Sequence, residues 1–179
     1  MHDNYKCRNC PSNNTCNAER WTIDSSIIIS ILKQEPNHIL HEDKLNEIKN
    51  NQKGFVMHII LAEVYKEIIK FIEEKLRQEM NYYHKYQENE SKFKSILEII
   101  NNLKQVLDGL DILEFDFESS NKTNELLTLP GLRMKSRDCM IIATAESYLN
   151  THFLHKDGGI TGDEQNIRDF GFKINFVPL

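Results

Sequence analysis

Asp24, Glu63, Asp138 and Asp163 are the residues whose type and spacing could do chemistry in this chain. Asp24 and Asp163 each follow a short apolar run read as a strand, and Glu63 and Asp138 fall in the first turns of helical stretches. If the apolar runs are parallel strands, their carboxyl ends and the helix starts share one sheet edge, where open parallel sheets place their clefts. Four carboxylates meeting there would offer hard oxygen donors of the kind that suit Mg²⁺ or Mn²⁺. Each acid also has a structural reading: Asp24 and Asp138 beside helix N-terminal amides, Asp163 in a glycine-containing turn, Glu63 on a solvated helix face. Glu67, four residues beyond Glu63 on the same helical face, reads as an exposed acid.

A second group of donors is Cys7-Arg8-Asn9-Cys10 with Cys16. A Cys-x₂-Cys pair can clamp Zn²⁺, and Cys16 with His2 would complete a tetrahedral set. A second Cys-x₂-Cys is absent, so free thiols are the other reading, and Cys139 reads as helix packing.

The elements that must position these residues follow from periodicity. Residues 1–20 carry no helical or strand pattern and read as an irregular cysteine-containing segment. Trp21-Thr22-Ile23 is a short strand signal running into Asp24-Ser25-Ser26, with Ser25 and Ser26 as natural caps for an apolar helix that ends near Pro36. Residues 38–51 keep helical spacing, and Phe55-Val56-Met57 is the next strand candidate. From Ile59 a helical period continues for about five turns. It weakens and resumes at Phe93, so that residues 73–110 form a helical hairpin or one long bent helix. Leu113-Glu114-Phe115-Asp116-Phe117 alternates like a strand, and residues 119–128 form a short helix stopping at Pro130-Gly131. Ser136 would cap the helix carrying Asp138. Gly158-Gly159-Ile160-Thr161 leads into Gly162-Asp163, and residues 172–177 make a terminal strand. Strands alternating with helices imply an α/β fold, a central mainly parallel sheet with helices on both faces.

With 179 residues, 40% hydrophobic and 27% charged, the chain suits one globular domain and excludes wholesale disorder or a collagen-like repeat. A net charge of -5 argues against a protein that coats nucleic acid by charge alone. No stretch approaches the roughly 20 apolar residues that cross a bilayer, and the start lacks a signal-peptide core, so a cytoplasmic protein with no membrane association is expected.

Four segments, in order, resemble the motifs of the PIN-domain nucleases. Trp21-Thr22-Ile23-Asp24-Ser25-Ser26-Ile27-Ile28 is similar to the opening motif, and Leu61-Ala62-Glu63-Val64 to the second. Arg137-Asp138-Cys139-Met140-Ile141-Ile142-Ala143-Thr144-Ala145 resembles the third, and Ile160-Thr161-Gly162-Asp163 the fourth. The resemblance implies a PIN-like three-layer fold over residues 21–179, with the segment at about 73–110 as a helical insertion. It assigns metal binding to Asp24, Glu63, Asp138 and Asp163 and support of the site to Thr161. It implies an endoribonuclease dependent on Mg²⁺ or Mn²⁺ that leaves a 5′-phosphate and a 3′-hydroxyl. The VapC-type toxins are similar in size, which adds an antitoxin protein to the expected partners beside the RNA substrate. Housekeeping RNA-processing PIN enzymes share the same four motifs and are the other reading within the family, and the family likeness adds a homodimer. The reading from another class is a catalytically silent PIN scaffold that binds RNA or a protein. Lys33, Lys53, Lys66, Arg133, Lys135 and Arg137 could grip an RNA backbone or simply form a soluble surface.

Overall fold

A computed structural model describes residues 19–83, 89–156 and 162–179, with the backbone alone at 79–83, 89–93 and 95. Thr161 and the cysteines of the zinc expectation, Cys7, Cys10 and Cys16, lie outside the described residues. Among those residues the order is β1 (Arg20–Ile23), α1 (Ser25–Lys33), α2 (His38–Asn51), β2 (Lys53–Met57), α3 (His58–Tyr83) and α4 (Asn89–Leu107). Then come β3 (Asp111–Leu113), α5 (Phe117–Leu127), α6 (Ser136–Ser147), β4 (His152–His155), α7 (Glu164–Asp169) and β5 (Asn175–Pro178).

The sheet order is β3-β2-β1-β4-β5, and every pair is parallel. From β1 the chain builds outward through β2 to β3. It then returns to lay β4 on the other side of β1, with β5 beyond. The point where the strand order reverses is therefore between β1 and β4, and open α/β sheets open a crevice at that point, beyond the carboxyl ends of the strands. The backbone N–H of Asp24, the first residue after β1, donates to the Leu154 carbonyl of β4 at 2.9 Å.

Consecutive residues of the inner strands are buried: Trp21, Thr22 and Ile23 in β1, Phe55, Val56 and Met57 in β2, Phe153, Leu154 and His155 in β4. Because neighbours along a strand point to opposite faces, burial of successive residues means that both faces are covered, the expected α/β arrangement. One core joins these strands to Ile27 and Ile28 of α1, Ile60 and Val64 of α3, and Ile141 and Ile142 of α6. Each such side chain contributes about 1.5–3 kcal/mol on full burial. Ile99, Leu103 and Val106 of α4 belong to the same core, so the stripe of the extra helical segment is covered by its own domain there.

Several local expectations shift. The cap of α1 is Asp24, whose side chain accepts from the Ser26 N–H, and not Ser25 or Ser26. Lys135 stands at the N-cap of α6 with no side-chain cap bond, and Ser136 is the first helical residue. The alternation at residues 113–117 does not make a strand. Instead β3 ends at Leu113, and Asp116 caps α5, its Oδ1 accepting from the Ser119 N–H at 2.8 Å and from Ser119 Oγ at 2.7 Å. A cap that satisfies an orphan amide outweighs a five-residue alternation. Asp116→Ala is expected to lower stability by about 1 kcal/mol, read from the urea midpoint at unchanged m-value. An unchanged midpoint would refute that role.

The strand expected directly before Asp163 falls at residues outside the described ones, and the fourth strand lies earlier in the chain. β4, at His152–His155, is the neighbour of β1, pairing Trp21 with His152, Thr22 with Phe153 and Ile23 with Leu154. Trp21 and His152 stack with ring centroids 4.3 Å apart. Among the described residues no helix is long and apolar enough to cross a membrane.

Candidate metal centre

The four acids lie on or beside four different elements. Asp24 follows β1, Glu63 projects from the second turn of α3, Asp138 from the first turn of α6, and Asp163 is the residue before α7. Asp24 and Asp163 are buried, with 8% and 2% of their surface exposed, whereas Glu63 and Asp138 are partly open to solvent.

Hydrogen bonds hold these carboxylates in place. Ser26 Oγ donates to Asp24 Oδ2 at 2.6 Å, and the Ser26 N–H to the same oxygen at 3.2 Å. Ser25 Oγ donates to Glu63 Oε2 at 2.6 Å, tying the start of α1 to α3. The Arg133 N–H donates to Asp163 Oδ2 at 3.0 Å. Arg137 binds two acids at once: Nη1 donates to Glu63 Oε1, and Nε and Nη2 each lie 3.3 Å from Asp138 Oδ1.

Electrostatics link the same residues. Burial lifts the Asp24 carboxyl above its ordinary pKa of 3.8; the Ser26 bonds and the Ser25 amide oppose this, and the nearby charge of Glu63 adds to it. The Cys139 thiol is pushed up by burial first, then by the charge of Asp138 and, least, of Asp163. Burial works against the charge of Arg137, but Glu63 and Asp138 prevail and raise its pKa. Asp24 is thus coupled to Glu63, and Glu63 to Asp138 through Arg137, whereas the partner of the Asp163 side chain is the Arg133 amide.

These contacts tie Glu63 to Asp138 through Arg137 and leave Asp163 on the Arg133 amide; they do not make a ready cage. Among the described residues no three His, Cys, Asp or Glu side chains lie in an arrangement that holds a metal ion. Arg137 is paired with Glu63 and Asp138 instead. The donor chemistry suits a hard divalent cation, and one guanidinium against four carboxylates leaves negative charge in surplus. Glu67 stands outside the patch, ion-paired to Lys33 at 3.2 Å and Lys70 at 2.7 Å, which agrees with its reading as a surface acid. Ser25, Ser26 and Arg137 were read from the sequence as caps and surface charge. Their positions directly beside Asp24 and Asp138 were the signal for their roles here.

A carboxyl whose folded pKa exceeds its unfolded value stabilises the fold while protonated, and that contribution disappears as pH rises from the unfolded pKa through the folded one. For Asp24 the direction is upward, so its buried charge costs stability at neutral pH. Asparagine caps helices as well as aspartate does. In chelator, Asp24→Asn should therefore melt above the wild type at pH 7, and its advantage should shrink on acidification towards the ordinary carboxyl range. A lower melting temperature at pH 7 would contradict this assignment of the burial cost.

The PIN domain family model matches residues 22–161, and the chain belongs to the PIN domain family. Its fold is that of the toxin–antitoxin PIN proteins. VapBC2 from Rickettsia felis, bound to a DNA fragment from its promoter, superposes with a TM-score of 0.61 at 14% identity, covering 89% of this chain and 98% of that one. DNA-bound VapBC from Salmonella typhimurium gives 0.53 at 17% identity, covering 89% and 98%. FitAcB from Neisseria gonorrhoeae gives 0.51 at 18%, covering 87% and 95%. Among curated proteins, none matches the sequence.

Proposed function

We propose that this chain is an endoribonuclease that hydrolyses RNA phosphodiester bonds with Mg²⁺ or Mn²⁺ held by Asp24, Glu63, Asp138 and Asp163. The observation that supports the reading is that Glu63 and Asp138, far apart in sequence, share one guanidinium while buried Asp24 feels the charge of Glu63, in a chain of the PIN domain family. Asp163 joins them by the resemblance of its motif. A bound ion would polarise the phosphate and lower the pKa of the attacking water.

The chain's own residues orient the carboxylates. Ser26 bonds Asp24, Ser25 bonds Glu63, and the Arg133 amide bonds Asp163, which limits how each carboxylate can turn. Such outer bonds keep ligands in position and tune their affinity. Thr161 is assigned the support of a carboxylate or water, and products with a 5′-phosphate and a 3′-hydroxyl are expected. The VapBC and FitAcB structures support an antitoxin as partner, which would make this a toxin-type PIN protein acting in the cytoplasm. A homodimer is proposed as well; at Cys7, Cys10 and Cys16 free thiols are the favoured reading and a zinc clip the other.

Incubating the purified protein with mixed structured RNAs and Mn²⁺ tests it. Cleavage should stop in chelator, return with Mn²⁺ and be lost in Asp163→Asn. Cutting that is equal in wild type and variant would assign the activity to a contaminant and leave the silent scaffold as the standing alternative. That alternative has one observation in its favour, the occupation of Glu63 and Asp138 by Arg137.

A further inference from the structure

Arg137 sits within the carboxylate patch. Asp138 is its neighbour in the chain, but Glu63 is 74 positions away, so the fold creates this second pairing. Both Glu63 oxygens are engaged, Oε1 by Arg137 and Oε2 by Ser25 at 2.6 Å. Asp138 Oδ1 receives two nitrogens of the same guanidinium. Among the described residues no three donor side chains stand ready for an ion.

We propose that Arg137 is a built-in competitor for the metal site: its guanidinium and a divalent cation compete for Glu63 and Asp138, and it must release them before the cation can bind. The inference rests on the reading of the four acids as metal ligands. A guanidinium keeps its charge at any physiological pH and presents its donors in a rigid fork, so it neutralises two acids with one side chain. A divalent ion brings twice the charge and direct coordination, and displaces the arginine once its concentration suffices. The Arg137 side chain is 42% exposed, which leaves it water to swing into. Apparent metal affinity is then the intrinsic affinity reduced by the fraction of molecules in which Arg137 has let go. Removing the guanidinium acts twice in one direction, abolishing the competitor and the repulsion it exerts on an incoming cation.

Mn²⁺ titrations followed by the electron paramagnetic resonance of the free ion, with calorimetry alongside, test this without any cleavage assay. Partly exposed ion pairs are individually modest, so Arg137→Gln is expected to bind Mn²⁺ about five- to tenfold more tightly than the wild type. Arg137→Lys, which keeps the charge without the fork, should fall between them. In the unaltered protein, the Arg137 Nε–H resonance should move when Mg²⁺ is added, as the carboxylate contact is lost. Equal or weaker Mn²⁺ binding by Arg137→Gln, or a resonance that Mg²⁺ saturation leaves in place, would overturn the competitor role. If Mn²⁺ binds equally to all three proteins and is lost in Asp163→Asn, only the role of Arg137 fails. If none of the three binds Mn²⁺, the metal reading itself fails and the competitor role goes with it.

Discussion

Asp24→Asn is expected to lower metal-dependent RNA cleavage by at least about 100-fold while leaving the protein folded. Changing residues that merely orient metal ligands costs about 10–100-fold, and a direct ligand should cost no less. The substitution is nearly isosteric. It keeps an oxygen to accept from Ser26 and a side chain suited to the N-cap of α1, so the loss would come from the missing charge. Asp24 is also the acid whose burial lifts its carboxyl, which is why the same variant should melt higher in chelator. Activity and stability moving in opposite directions is the signature of a group held at a cost for its chemistry. A variant with near-wild-type cleavage would remove Asp24 from the proposed site, and one that is inactive because it unfolds would make the residue structural. Initial rates with Mn²⁺, beside melting curves with and without the ion, separate these results.

Phe153→Ala is expected to destabilise the fold by about 3–5 kcal/mol, the usual cost of emptying a large aromatic site. Phe153 is fully buried in β4, level with Thr22 on one side and Phe176 on the other, its ring centroid 6.0 Å from that of Phe176. For a chain of this size the melting temperature should fall by roughly 10 °C. Loss of less than about 1 kcal/mol in urea unfolding would mean that β4 is not the core strand described. The effect reaches the site as well, because Leu154 supplies the carbonyl that anchors the Asp24 amide.

The regions around Asp24, Glu63 and Asp138 were legible in the sequence because each lies on an element with strong local periodicity. Trp21-Thr22-Ile23 and the apolar face from Ile59 onward report their own burial. β4 does not: His152 and His155 bracket two apolar residues, and a histidine carries no clear signal for burial. That His155 is buried depends on its neighbours, with Phe153 and Phe176 rings packed around it. The strand expected at residues 113–117 failed because pattern alone ignored how firmly Asp116 can seize the amide of Ser119. Ser25 and Ser26 illustrate a different limit. Their position at a helix start was plain, but Asp24 takes the cap, and the hydroxyls are left to bind two different acids. The pairing of Arg137 with Glu63 was out of reach, since it arises only when α6 is laid beside α3.

The most direct test of the central claim is anomalous diffraction from crystals grown with Mn²⁺. The expected result is a peak bounded by the oxygens of Asp24, Glu63, Asp138 and Asp163, with Arg137 turned away from Glu63. A saturated crystal with no peak there, or with manganese bound only elsewhere, would contradict the account.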